Sequence, residues 1–244
     1  MFTKKIRNWF LWAFFAAVFI FVISDITLWN AVLSYFFPQR SQVIYPAASL
    51  FQLFTEHLEL VGISSLLTII IGIPLGIWVT RSAGRDFLPI VSTVTAFGQT
   101  FPPVAVLALA VPALGFGLRP TIVALFFYGL LPVVRNTIAG IQSVAPEVLD
   151  ASYGMGLSRF QTLTRVELPL AAPVILAGVR ISVIINVGTA MIGATIGAGG
   201  LGVPVISGLV QNNIALVLEG AIPAALLAIL LDQLFSNIEA SYVK

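Results

Sequence analysis

Charge is what this sequence has least of. Only 9% of its 244 residues are Asp, Glu, Lys or Arg, against roughly a quarter in a soluble domain, while 59% are hydrophobic and 18 are Phe. Mean hydropathy is +1.04. So much apolar surface cannot be hidden in one soluble core, which places the chain in a bilayer. Cysteine is absent, which excludes disulfides and thiolate metal sites. The single histidine, His57, cannot build an imidazole zinc site without carboxylate help, so no metal site is expected. The three lysines, Lys4, Lys5 and Lys244, follow no glycine-rich loop, and the GxxxxGK(S/T) phosphate cradle is missing. Any ATP that drives this protein must therefore be bound by another chain. The twelve cations sit scattered at the ends of apolar runs rather than in a basic stripe, which argues against a nucleic-acid partner.

What is present is a succession of apolar runs. Trp9 to Ile23 follows Lys4, Lys5 and Arg7. A secretory signal also starts this way, but no small-residue cleavage site follows, so an uncleaved first membrane helix is expected. Ile26 to Phe37 is aromatic and half polar, which suits a stretch at the membrane interface, and Pro38 ends it. Residues 39–59, with Arg40, Glu56, His57 and Glu59, read as an external connection, with re-entry as a helix left open, and residues 1–56 are separated from a core unit over 57–244. Leu60 to Thr80 is uncharged over 21 residues, about 31 Å of helix against a hydrocarbon core of roughly 30 Å. Its Gly72 and Gly76 have the spacing that lets helices approach closely.

Phe87 to Leu118 is 32 residues without a charge, about 48 Å if helical, and too long for one straight span. Pro102 and Pro103 remove two backbone donors near its middle. Irregular backbone at membrane depth is tolerated where protein or a water-filled cavity covers it. Gln99, Phe101, Pro102 and Pro103 are therefore candidates for a translocation path, with a kinked structural helix as the alternative. Pro120 to Val134 is a short fourth run closed by Arg135. Leu170 to Leu218 is uncharged except for Arg180, enough for one span plus a glycine-rich loop from Thr195 to Pro204, and a last span runs from about Ile214 to Phe235. An arginine inside a span needs an acid or carbonyls beside it, or else lines a gate. Asn186 is placed on the path with Gln99.

Six spans put both termini on one side. Nine cations, Lys4, Lys5, Arg7, Arg81, Arg85, Arg135, Arg159, Arg165 and Lys244, fall on that side and only Arg40 and Arg119 opposite, so the termini are expected in the cytoplasm. On the same side lies a charged island, residues 144–169, holding Glu147, Asp150, Arg159, Arg165 and Glu167. Pro146 suits a first helical turn, and Glu147 and Asp150 complement the helix dipole. Gly154 and Gly156 are stops, and Ser158 to Gln161 fits a capping box that restarts a helix before Leu168 and Pro169. Two short helices meeting at a glycine corner suggest docking onto a partner.

Asp150-Ala151-Ser152, then Gly156, then Val166-Glu167-Leu168-Pro169 resembles the EAA…G…I-x-LP loop of ABC importer permeases, with Asp, Ser and Val in place of Glu, the second Ala and Ile. The stretches 57–77, 98–117 and 167–202 are similar to permeases for glycine betaine and related osmoprotectants. The resemblance implies an all-α, polytopic bundle with the type I ABC importer permease fold. It also implies ATPase subunits carrying the ATP and magnesium, a second permease subunit of the same or a related chain, and an extracytoplasmic substrate-binding protein. The chain itself would hold no cofactor and hydrolyse nothing. The docking residues it implies are Glu147, Asp150, Ala151, Ser152, Tyr153, Gly154, Gly156, Leu168 and Pro169, with the two acids offered to basic groups and the two small residues permitting close contact. A permease for an amino acid such as methionine is the alternative within the class. An ion-coupled secondary transporter would need no docking loop, and an intramembrane hydrolase would need a nucleophile and base that no motif here supplies.

Overall fold

A computed structural model describes residues 2–242, with side chains from residue 6 onward. Lys244 and the side chains of Lys4 and Lys5, part of the cation count, lie outside the described residues. Within them every regular element is helical. Helix α1 (Phe2–Ser24) turns at Asp25 into α2 (Ile26–Phe36). The Asp25 carboxylate caps α2, accepting from the N–H groups of Thr27 at 2.9 Å and Leu28 at 3.2 Å. Trp29 and Leu33 of α2 are buried while Val32, Tyr35 and Phe36 are exposed.

Helix α3 (Leu50–Val79) begins ten residues before the expected span, with Ser49 accepting from the N–H of Gln52 at 3.1 Å. The division expected between residues 56 and 57 thus falls inside α3. Leu50, Leu53, Phe54, His57, Leu60 and Val61 form a buried stripe at helical spacing, and Glu56 and Glu59 lie off that stripe. The helical re-entry left open for the end of the external connection is thus present, from Leu50 onward.

Helices α4 (Leu88–Thr100) and α5 (Pro103–Leu114) are the expected broken span, bent by 98°. Helix α6 (Leu118–Gln142) does not stop at Arg135 but carries it as an exposed residue and continues for two more turns. After α7 (Pro146–Gly154) and α8 (Arg159–Thr162), a π-turn over Leu163–Glu167 runs directly into α9 (Leu168–Gly193), so Leu168 and Pro169 lead into the membrane span without a break. Helix α10 (Gly202–Val210) begins inside the expected glycine-rich loop, and α11 runs from Ile214 to Tyr242 rather than to Phe235.

Among the described residues five helices are long and apolar enough to cross a membrane, and six spans result when the bent pair counts as one. The long helices α3, α6 and α9 pack as the centre of the bundle. A Cβ on Gly76 would sit 2.7 Å from Thr137 Cβ and 3.1 Å from the Val134 carbonyl oxygen of α6, so the small-residue spacing in α3 serves close helix packing. Helix α1 leans on α11, where the Trp12 indole donates to the Leu230 carbonyl at 2.8 Å.

Candidate functional site

The charged island folds at the end of the bundle where α3 and α6 finish and α9 begins. Pro146 opens α7 in its first turn, with Glu147 beside it. The end of α7 is a Schellman closure: the Leu157 N–H donates to the Ser152 carbonyl at 3.1 Å and the Gly156 N–H to that of Tyr153 at 2.9 Å. Gly156 supplies the left-handed residue this requires, at φ +81°. The Ser158–Gln161 capping box is formed in both directions, at 2.9 Å and 3.3 Å.

Glu147, Asp150, Ala151, Tyr153, Gly154 and Gly156 are exposed along α7 and its closure, and neither acid has an ion-pair partner among the described residues. Ser152 is different. It is 1% exposed, and its hydroxyl lies 3.1 Å from the hydroxyl of Thr162, itself fully buried. Ser152 therefore fastens α7 to α8, set back from the exposed residues of α7. Leu168 is half-buried at the start of α9 and Pro169 is exposed beside it. Between the end of α3 and the α7–α8 corner lies an open cleft of about 830 Å³, whose walls include Arg81, Tyr153, Arg159 and Phe160.

The residues assigned to the path belong to the α4–α5 joint and to α9. Phe101 and Pro102 form the extended joint between α4 and α5, and both are exposed. Pro103 is the first residue of α5. The Gln99 amide donates to the Tyr128 carbonyl of α6 at 2.8 Å, anchoring the joint. Asn186 is fully buried between α9 and α3, and its amide nitrogen lies 3.3 Å and 3.2 Å from the Ser64 and Ser65 hydroxyls. That is a helix-packing position within this chain. Arg180 reaches α11, where Asp232 takes its Nε and Nη2 at 2.7 and 2.8 Å and Glu239 takes Nη1 at 3.2 Å. The acid partner expected for an intramembrane arginine is thus two acids.

Several polar contacts were not legible in the sequence. At the end of the bundle opposite α7, Glu56 accepts from the Gly200 N–H at 3.0 Å, and the fully buried His57 donates from Nε2 to the Val187 carbonyl at 3.0 Å. Glu219, 1% exposed, accepts from the Tyr45 N–H at 2.8 Å. Arg40 donates to the Asn212 carbonyl and Asn213 to that of Gln42, both at 2.7 Å, so the segment between α2 and α3 is tied down on the α10–α11 turn. Near α7, Arg81 and Glu167 form a two-point ion pair. The only sequence signal for these contacts was charge at the border of an apolar run.

A bundle of about six membrane helices, with a broken span and an ordered, capped helix pair between its fourth and fifth spans, is the architecture of a transport permease. Residues 72–244 match the family of binding-protein-dependent transport system inner membrane components, and the chain belongs to that family. It is 44% identical over 181 residues to the osmoprotectant import permease protein OsmY of Salmonella typhimurium, covering 74% of this chain and 77% of the relative. It is 41% identical over 189 residues to the glycine betaine/carnitine/choline transport system permease protein OpuCD of Bacillus subtilis, at 77% and 82% coverage. With the choline transport system permease protein OpuBB of Bacillus subtilis the identity is 39% over 186 residues, at 75% and 84% coverage. Among solved structures, an inward-facing MetNI methionine ABC transporter superposes with a TM-score of 0.70 at 24% identity, covering 78% of this chain and 94% of that one. A bacterial alginate ABC transporter gives 0.59 at 16% identity, with 96% and 95% covered. The fold is that of the type I ABC importer permeases, and the chain is an inner-membrane transport component.

Proposed function

We propose that this chain forms the membrane path of an ATP-driven importer of osmoprotectants of the glycine betaine, choline and carnitine class. Relatives at about two-fifths identity over three quarters of the chain, all carrying such substrates in their names, are the observation that carries the substrate class. The likeness to the methionine transporter, at 24% identity, speaks for the fold alone. The exposed, unpaired acids of α7 support the second part of the reading, a separate ATPase gripping α7 from the cytoplasm. Glu147 and Asp150 meet basic groups there, Ala151 allows close approach, and Tyr153 supplies apolar contact. ATP and magnesium belong to that ATPase, since this sequence has no phosphate cradle. A second permease subunit completes the path at the exposed α4–α5 joint, and a substrate-binding protein delivers cargo at the opposite face. The termini lie in the cytoplasm. Receptor and ATPase act on one bundle with two arrangements, so the effects of the two sites on each other are reciprocal.

Two variants test the docking. Ala151→Trp fills the exposed face of α7, and Gly156→Asp strains its closure. Both are expected to insert normally, to lose copurification of the ATPase, and to lose uptake of glycine betaine. Retention of the ATPase by both variants would remove α7 as the grip.

A further inference from the structure

Docking α7 moves cargo only if its displacement reaches the spans, and one ion pair stands on that route. Glu167 is 3% exposed, an acid buried at the base of α9. Both of its carboxylate oxygens are taken by Arg81, Nη1 donating to Oε1 at 3.0 Å and Nη2 to Oε2. A buried carboxylate held by a single planar guanidinium is fixed in orientation as well as position.

Each partner is tied to a different part of the machine. Arg81 follows α3 in a turn pinned by backbone bonds: its N–H donates to the Trp78 carbonyl at 3.0 Å, and its carbonyl accepts from Gly84 at 3.0 Å and Arg85 at 2.8 Å. Helix α3 in turn packs closely on α6. Glu167 is the last residue of the π-turn between α8 and α9, a local widening that rotates the side chains after it relative to a straight helix. Five residues earlier, Thr162 holds Ser152 of α7 at 3.1 Å. Arg81 also forms part of the wall of the cleft shared with Tyr153 and Phe160, and its Nε has no acceptor among the described residues. A subunit gripping α7 therefore lies against Arg81 as well.

We propose that Arg81 and Glu167 are positioning residues that carry the movement of α7 to α3 and α9 together, so that the two spans shift as one body when the ATPase closes. The proposal rests on the reading of α7 as the ATPase grip. Without the pair, α7 would still dock and the ATPase would still turn over, but α3 and α9 would no longer be driven in register.

The test uses the full permease coexpressed with its ATPase and receptor, reconstituted in proteoliposomes and supplied with glycine betaine. Glu167→Gln and Arg81→Gln are expected to keep the ATPase bound and hydrolysis within about twofold of normal, while glycine betaine taken up per ATP hydrolysed falls about tenfold. The exchanged pair, Arg81→Glu with Glu167→Arg, is expected to recover a substantial part of that ratio. Proportional loss of uptake and hydrolysis, or unchanged uptake in Glu167→Gln, overturns the proposal. Should Glu167→Gln fail to accumulate, Glu167→Asp keeps the charge and shortens the reach, and carries the same expectation. Loss of the protein in both would make the pair a folding element and also overturn it. Copurification keeps the two ideas apart: an ATPase that stays bound to Ala151→Trp and Gly156→Asp removes the grip, whereas one that stays bound to Glu167→Gln with the ratio unchanged removes only the transmission.

Discussion

Gly154 and Gly156 look alike in sequence and are set apart by their backbone. Gly154 is the last residue of α7 with a helical backbone, and a Cβ added there meets nothing within 4 Å. Gly156 has the same open space but a φ of +81°. Alanine at 154 removes helical entropy loss and is expected to stabilise the corner slightly, by about 0.5–1 kcal/mol. Alanine at 156 is forced into the left-handed region, at about 1–2 kcal/mol. Gly154→Ala should therefore leave ATPase copurification and uptake intact, and Gly156→Ala should weaken copurification severalfold. Equal behaviour of the two variants would mean that the Schellman closure does not set the corner. A similar separation applies to the charged residues. Arg180 announced its need for a partner because an isolated charge in a span is expensive, yet sequence could not say that Asp232 and Glu239 would supply it from 52 and 59 residues away. Asn186 carried no such signal, and its partners Ser64 and Ser65 are common in any helix interface.

At the level of elements, what was legible followed local chemistry. A 32-residue uncharged run with two adjacent prolines had to break, and it does, at Phe101 and Pro102. The 98° angle was not legible, because it depends on where α6 stands and on the Gln99 bond to Tyr128. The exact start of α3 was not legible for a related reason. Glu56 accepts from the Gly200 N–H and His57 donates to the Val187 carbonyl, both more than a hundred residues away, and the fully buried imidazole is tolerated there because it is paired. The π-turn before α9 was invisible too, since nothing in Leu163–Glu167 sets it apart from a regular helical turn. The joint between α4 and α5 can be tested as an element. Pro103 restricts Pro102 to extended backbone, and Pro102 does the same to Phe101. Replacing both with alanine lets α4 continue through the joint. Pro102→Ala with Pro103→Ala is expected to insert and to hold its ATPase while losing most uptake, and Pro102→Ala alone to lose less. Full uptake by the double variant would show that the bend is not part of the path.

For the molecule as a whole, the same scarcity of charge that marks it as a membrane protein also orients it. Arg180 lies in the first half of α9 and pairs with Asp232 and Glu239 near the end of α11, so α11 finishes at the end of the bundle where α9 starts. That end also carries α7, Arg81, Arg85, Arg159 and Arg165, whereas Arg40 and Arg119 lie at the other. Positive charge resists transfer across the membrane during insertion, so the richer end should stay in the cytoplasm, where an ATPase can reach it. The absence of cysteine makes this directly measurable, because a single introduced thiol is then the only one in the chain. Met155, at the α7 corner, is 74% exposed, and Gln39, after α2, is exposed at the opposite end. In intact cells, Gln39→Cys is expected to react with a membrane-impermeant maleimide and Met155→Cys to react only after the membrane is opened. With the ATPase bound, Met155→Cys should label more slowly even in opened membranes, since the grip covers the corner. The reverse pattern of access would place α7 outside the cell, where no ATP-hydrolysing subunit could hold it, and the coupling route through Ser152, Thr162, Glu167 and Arg81 would then have nothing to transmit.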